Sequence, residues 1–302
     1  MKKIISTLIL SLSFTANAFD IKSKPTVNVI IPFAPGGGVD QLFRHLQKYA
    51  LDRGISLTNT FKPGADGLIA MSELSKMPRD GFHMSIATIG VFSVHSLKKP
   101  EEENIVITEI RSNIFAFAAY PNSSIKTFTD LEQSLKNGNN VRIGYGSPGQ
   151  LLEWEQYFEL ITPSVDPLIV PYKGTGPVIN DLLGGHIDVA MLPFGTVKQH
   201  VSSGKLKLLA VSEIRPPEFL DTPLVNQKFP SWKDNNAMII VIPKGTNVDA
   251  VKFWNSFFQE YLKDKQVRID MIEDGGIPSI FGAKNAGASV QDFKNRYLKK
   301  SN

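Results

Sequence analysis

Four times along this chain a short apolar run meets a cluster of glycines and then a helical pattern. The clearest copy is Ile30-Ile31-Pro32-Phe33-Ala34-Pro35-Gly36-Gly37-Gly38-Val39-Asp40. Val27 to Ile31 reads as a buried strand, and Val39, Leu42, Phe43 and Leu46 recur at i, i+3, i+4 and i+7, one face of a helix. The glycines between them let the backbone turn sharply and lie open to a ligand. Such a junction aims the free N–H groups of a helix start, and the positive end of its dipole, at one point, which suits an anion. A single copy is weak as a signal, because many α/β chains bend this way for packing alone. Recurrence is what gives it weight.

The second copy runs from the strand Leu57–Phe61 through Lys62-Pro63-Gly64-Ala65-Asp66-Gly67. The third is Val141-Arg142-Ile143-Gly144-Tyr145-Gly146-Ser147-Pro148-Gly149-Gln150. The fourth is Leu168 to Pro171 followed by Tyr172-Lys173-Gly174-Thr175-Gly176-Pro177, where Pro177 suits a first helical turn. Strands are also expected at 81–88 (ending in Thr88), 187–192, 207–211 and in two long apolar runs, 114–120 and 237–242. An amphipathic helix is expected from Val248 to Lys263.

Strands alternating with helices predict parallel βαβ sheets, which bind ligands at the carboxyl edge of their strands. Two glycine turns precede residue 114 and two follow 141, which predicts an α/β protein of two lobes. The segment after 237 is too short for a third domain and is expected to rejoin the first. The domains are therefore read as 19–120 with 237–302, and 121–236, with the runs 114–120 and 237–242 as the two crossovers.

Residues 1–18 read as a secretory signal: Lys2 and Lys3, an apolar stretch from Ile4 to Phe14, then Ala16-Asn17-Ala18, with the mature chain starting at Phe19. The absence of cysteine removes disulfides, a thiol nucleophile and a lipoprotein acceptor. The expectation is thus a soluble periplasmic protein without a lipid anchor. The formal net charge of +4 includes Lys2 and Lys3, and no basic stripe marks a nucleic-acid surface.

These motifs together resemble the Bug-type periplasmic solute-binding receptors of tripartite tricarboxylate transporters. The likeness lies in Pro32-Phe33-Ala34-Pro35-Gly36-Gly37-Gly38-Val39-Asp40, in Lys62-Pro63-Gly64-Ala65-Asp66-Gly67, and above all in Pro171-Tyr172-Lys173-Gly174-Thr175-Gly176-Pro177 followed by Asp181-Leu182-Leu183-Gly184-Gly185-His186-Ile187-Asp188-Val189. It implies a two-lobed type II binding protein, a Venus flytrap, that closes on a small organic carboxylate and delivers it to membrane permease subunits. It also implies a grip by backbone N–H groups and water rather than by an arginine clamp. The turns and the resemblance together nominate Phe33, Ala34, Gly36, Gly37, Gly38, Asp40, Ala65, Asp66, Gly67, Thr88, Ser147, Gly149, Gln150, Tyr172, Gly174, Thr175, Gly176, Leu192 and Pro193 as ligand contacts. Three residues depart from the family pattern: Asp66 in place of glycine, Glu153 in place of histidine, and Leu192 in place of an acid. Asp66 either caps its helix or meets a ligand amine, which would favour an amino acid or amide.

Enzyme chemistry finds little support. Tyr145-Gly146-Ser147-Pro148-Gly149 approaches a nucleophile elbow but has tyrosine where the motif needs glycine, so an exported serine hydrolase is a minor alternative. The five histidines lack metal-ligand spacing, and no Walker lysine follows the glycines. No cofactor, no metal and a monomeric protein are expected. A sensory binding protein facing a membrane kinase stays open as a second use of the same fold.

Overall fold

The computed structural model describes residues 19–23, 26–100, 102–161, 167–232, 236–280 and 283–301. The expected signal segment, 1–18, lies outside them. The first lobe begins β1 (Thr26–Ile31), α1 (Gly38–Leu51), β2 (Ser56–Phe61), α2 (Leu68–Ser75), β3 (His83–Thr88), α3 (Ile89–Lys98) and β4 (Asn104–Asn113). The second holds β5 (Phe115–Ala119), α4 (Phe128–Lys136), β6 (Arg142–Tyr145), α5 (Pro148–Ile161), β7 (Leu168–Pro171), α6 (Thr175–Leu183), β8 (Val189–Pro193), α7 (Phe194–Ser202), β9 (Lys207–Val211) and α8 (Val225–Lys228). The chain then returns to the first with β10 (Ala237–Pro243), α9 (Val248–Lys263), α10 (Lys265–Glu273), β11 (Gly276–Pro278) and α11 (Ala283–Ser301).

Each lobe is built on its own sheet, in the order β11-β4-β10-β3-β1-β2 and β7-β6-β8-β5-β9. Both sheets are mixed rather than purely parallel. The βαβ units pair in parallel, but β10 runs antiparallel to β3 and β4, and β5 antiparallel to β8 and β9. β11 is reversed too, antiparallel to β4 at the sheet's edge, but β5 and β10 are the strands by which the chain enters each sheet from the other lobe. Such a strand has no crossover helix to turn it parallel to its neighbours. One boundary shifts accordingly. Residues 115–119, assigned to the first domain by sequence, form a strand of the second sheet between β8 and β9, so the first crossover lies at Ile114.

The central strands are apolar throughout because both faces are covered. β5 and β10 are buried at every position. The first core packs β1, β3 and β10 against α1, α2 and α9. Phe19, the expected mature N-terminus, seats its ring 5.1 Å from Phe82 and 5.5 Å from Phe253. In the second lobe, Asp188 accepts hydrogen bonds from the Arg142 backbone N–H and guanidinium, the shortest 2.6 Å, locking β6 to the start of β8. Asp188 is therefore committed to structure. No helix among the described residues is long and apolar enough to cross a membrane.

Candidate functional site

The glycine turns of the two lobes face each other and touch. The Ala34 N–H donates to the Lys173 carbonyl at 2.9 Å, a backbone bond between lobes. A Cβ placed on Gly176 would lie 2.4 Å from the Pro35 carbonyl oxygen, and one on Gly37 3.3 Å from the Thr175 side chain. On the other side a Cβ on Gly90 would lie 2.9 Å from the Gly149 nitrogen. These glycines let two backbones approach where any side chain would hold them apart.

A cavity of about 20 Å³ lies inside this contact, room for little more than one water. Five helices begin around it: α1 at Gly37–Gly38, α3 at Thr88, α5 at Ser147, α6 at Thr175 and α7 at Pro193. The last four residues and Gly38 are nearly all buried, and each helix start leaves N–H groups without an intrahelical partner. Among the described residues, Asp40 is the one ionisable side chain lining the cavity, and no cationic side chain lines it. Phe33, Ala34, Gln150, Asn113, Asn236, Val39 and Met238 complete the wall.

Several polar groups here are already held. Asp40 accepts from the Gly36 N–H at 2.9 Å and from Arg44 at 3.2 Å, which fixes the first turn. Gln150 accepts from the Gly146 N–H at 2.6 Å and donates to the Thr175 hydroxyl at 3.5 Å, joining the third and fourth turns. The Ser147 hydroxyl accepts from the Gln150 N–H, and the Thr88 hydroxyl from the Val91 N–H; both are helix caps. Ser147 thus acts as a cap in the wall.

A second interlobe cavity, about 280 Å³, adjoins through Phe33. Ala65, Asp66, Gly67, Gly146, Pro148, Tyr172 and Lys173 line it. Ala65 and Asp66 both have positive φ, 46° and 54°, a strained state for residues with a Cβ. Burial and then Asp181, which accepts the Tyr172 hydroxyl at 2.6 Å, push the Tyr172 pKa up to about 12. Burial, with Asp66 nearby, also raises Tyr145.

Of the nominated residues, ten meet at the small cavity: Phe33, Ala34, Gly37, Gly38, Asp40, Thr88, Ser147, Gln150, Thr175 and Pro193. Ala65, Asp66, Gly67 and Tyr172 line the larger one. Gly36, Gly149, Gly174 and Gly176 sit in the interlobe contact itself. Leu192 is the exception. It is fully buried in the apolar cluster around α6 and α7, because alternation along β8 turns it into the sheet's packed face. Asn113, Asn236, Val39 and Met238 were missed. The two asparagines flank the crossovers, and a buried amide beside a chain crossing was the available cue.

Residues 44–294 match the tripartite tricarboxylate transporter family receptor, TctC. The chain belongs to this family. TctC proteins are solute-binding receptors, so this one is a receptor and not an enzyme. The chain is 26% identical to BugT of Bordetella pertussis over 285 residues, 90% of this chain and 86% of BugT. It is similar to the structure of the periplasmic binding protein BugD, with TM-score 0.81, 24% identity, and coverage of 91% of this chain and 97% of BugD. An R. palustris protein solved with adipate gives TM-score 0.82 at 20% identity, covering 91% and 95% of the two chains.

The departures from the TctC pattern can now be placed. Glu153 points away from the cavities; it is fully buried and lies 3.8 Å from Arg296 of α11. Asp66 caps no helix, since α2 starts at Gly67 without a side-chain cap bond. It faces the larger cavity.

Proposed function

We propose that this protein is an exported receptor that captures a small organic carboxylate between its lobes and hands it to the permease subunits of a tripartite tricarboxylate transporter. The observation that carries this reading is the meeting of five helix starts at one buried cavity with no cationic side chain in its wall among the described residues. Each helix dipole offers about 0.3–2 kcal/mol to an anion. Five together approach the roughly 8 kcal/mol that micromolar binding needs. The lobes are 19–113 with 237–302, and 115–236, and they part at the crossovers beside Asn113 and Asn236. Parting admits the ligand, since the site as it stands leaves room for little more than one water, and the lobes then close again until the turns of both share its carboxylate. Backbone N–H groups at Gly38, Ser147–Gly149 and Thr175–Gly176 hold one carboxylate, and the larger cavity takes the rest of the ligand. The adipate bound by the similar R. palustris protein fits this class. The receptor acts as a monomer.

Asp66 in the larger cavity favours a second reading, in which the ligand carries an amine at its far end. A thermal-shift panel of succinate, malate, adipate, glutamate and nicotinamide separates the two. At one hundred times its Kd, a ligand adds about 2.7 kcal/mol to stability, a rise of several degrees in Tm. The expected result is such a rise with at least one dicarboxylate. A rise with glutamate alone, lost in Asp66→Gly, would favour the second reading. No rise with any carboxylate would refute the first.

A further inference from the structure

Beneath the first turn of α1 the structure buries a guanidinium. Arg111, on β4, is 2% exposed. It makes one hydrogen bond, donated from Nη2 to the Gly38 carbonyl at 3.4 Å, and its Nε has no partner among the described residues. Gly276 of β11 makes room for it: a Cβ there would lie 2.7 Å from the Arg111 Cδ. Asp274, whose opposing charge acts on it, is engaged instead by His45 at 2.9 Å. Burial would raise the Asp274 carboxyl, but His45 and then Arg111 bring it below its ordinary value. Guanidinium stays protonated in proteins, so this is a standing buried positive charge with one long hydrogen bond. Burying such a charge costs heavily unless something repays it.

Two residues along the same face of β4 lies Asn113, 3% exposed, in the wall of the small cavity. Its Nδ2 has no hydrogen-bond partner among the described residues. Met238, paired in register with Arg111, also lines that cavity, as does Gly38. The end of β4 therefore brings an unused amide donor to the cavity and a cation to the layer behind it.

Resting on the carboxylate reading above, we propose that this end of β4 is the charged floor of the site. Asn113 donates from Nδ2 to the bound carboxylate. Arg111 is a positioning residue: through Gly38 it holds the α1 turn, and its charge offsets the combined negative charge of Asp40 and the ligand. The pair selects an anionic group over a neutral isostere, because a neutral group gains nothing from the buried cation.

The test uses the full mature protein, adipate as the probe, and three variants: Arg111→Met, Arg111→Lys and Asn113→Ala. Calorimetry is expected to show Kd for adipate weakened about 30-fold in Arg111→Met and about 10-fold in Asn113→Ala. Arg111→Lys, which keeps the charge, should stay within about 3-fold. The Tm of ligand-free Arg111→Met should equal or exceed that of the unmodified protein, since a buried charge held by one long hydrogen bond has been replaced by an apolar chain. Equal losses in Met and Lys, or a lower Tm in Met, would make Arg111 a packing residue and overturn the proposal. Unchanged affinity in Asn113→Ala would overturn the direct contact. If the unmodified protein does not bind adipate, the functional reading is what fails for that ligand, and the Tm comparison still decides whether Arg111 is there for packing.

Discussion

Gly176→Ala is expected to weaken carboxylate binding by about 100-fold or more while leaving Tm unchanged or slightly higher. The added Cβ would sit 2.4 Å from the Pro35 carbonyl oxygen, and every close neighbour of that Cβ belongs to the opposite lobe. A backbone oxygen cannot swing aside as a side-chain tip does. The clash is relieved only by parting the lobes, which withdraws the first glycine turn from the fourth. Within its own lobe the change is harmless. Gly176 lies in the first turn of α6 without a positive φ, and alanine is favoured over glycine in a helix by up to about 1 kcal/mol. Calorimetry with adipate and a melting curve on the same sample give the two readouts. Unchanged affinity would mean that the ligand is held without the close approach of these turns.

Phe117→Ala should cost about 3–5 kcal/mol, the usual range for a large aromatic removed from a packed interior. Phe117 is fully buried on β5. Its ring centroid lies 5.4 Å from Phe128, 5.2 Å from Trp154, 5.2 Å from Tyr157 and 6.2 Å from Trp232, mostly edge-on, an arrangement that adds to simple burial. This cluster joins α4, α5 and the segment before the second crossover to the sheet. α5 carries Ser147 and Gln150 at its start, so loosening it also loosens the site. Trp154 and Trp232 lie in the second lobe and Trp254 in the first. Tryptophan fluorescence during denaturation should therefore show an early transition confined to the second lobe. A loss below about 1 kcal/mol would contradict the role given to this cluster.

Much of the site was legible because its geometry is backbone geometry. A strand, a glycine turn and a helix start are written in local residue choice, and ten nominated residues do converge on one cavity. The parts that were not legible depend on long-range packing. β4 was missed although it is ten residues long, because Glu109, Arg111 and Asn113 interrupt its apolar pattern. Those interruptions are buried, and two of them are the residues now assigned to the floor of the site. Strand β5 was recognised but given to the wrong lobe, since an apolar run does not say which sheet it joins. Leu192 was nominated through the family pattern, whereas alternation along β8 points it into the core.

The central claim is that helix starts from both lobes share one carboxylate. Amide hydrogen exchange, followed by mass spectrometry with and without adipate or whichever carboxylate raises Tm, tests it most directly. Protection should rise together in three peptides: residues 33–40 from the first lobe, and 146–150 and 173–177 from the second. Protection confined to one lobe, or centred on peptides away from these turns, would contradict the account.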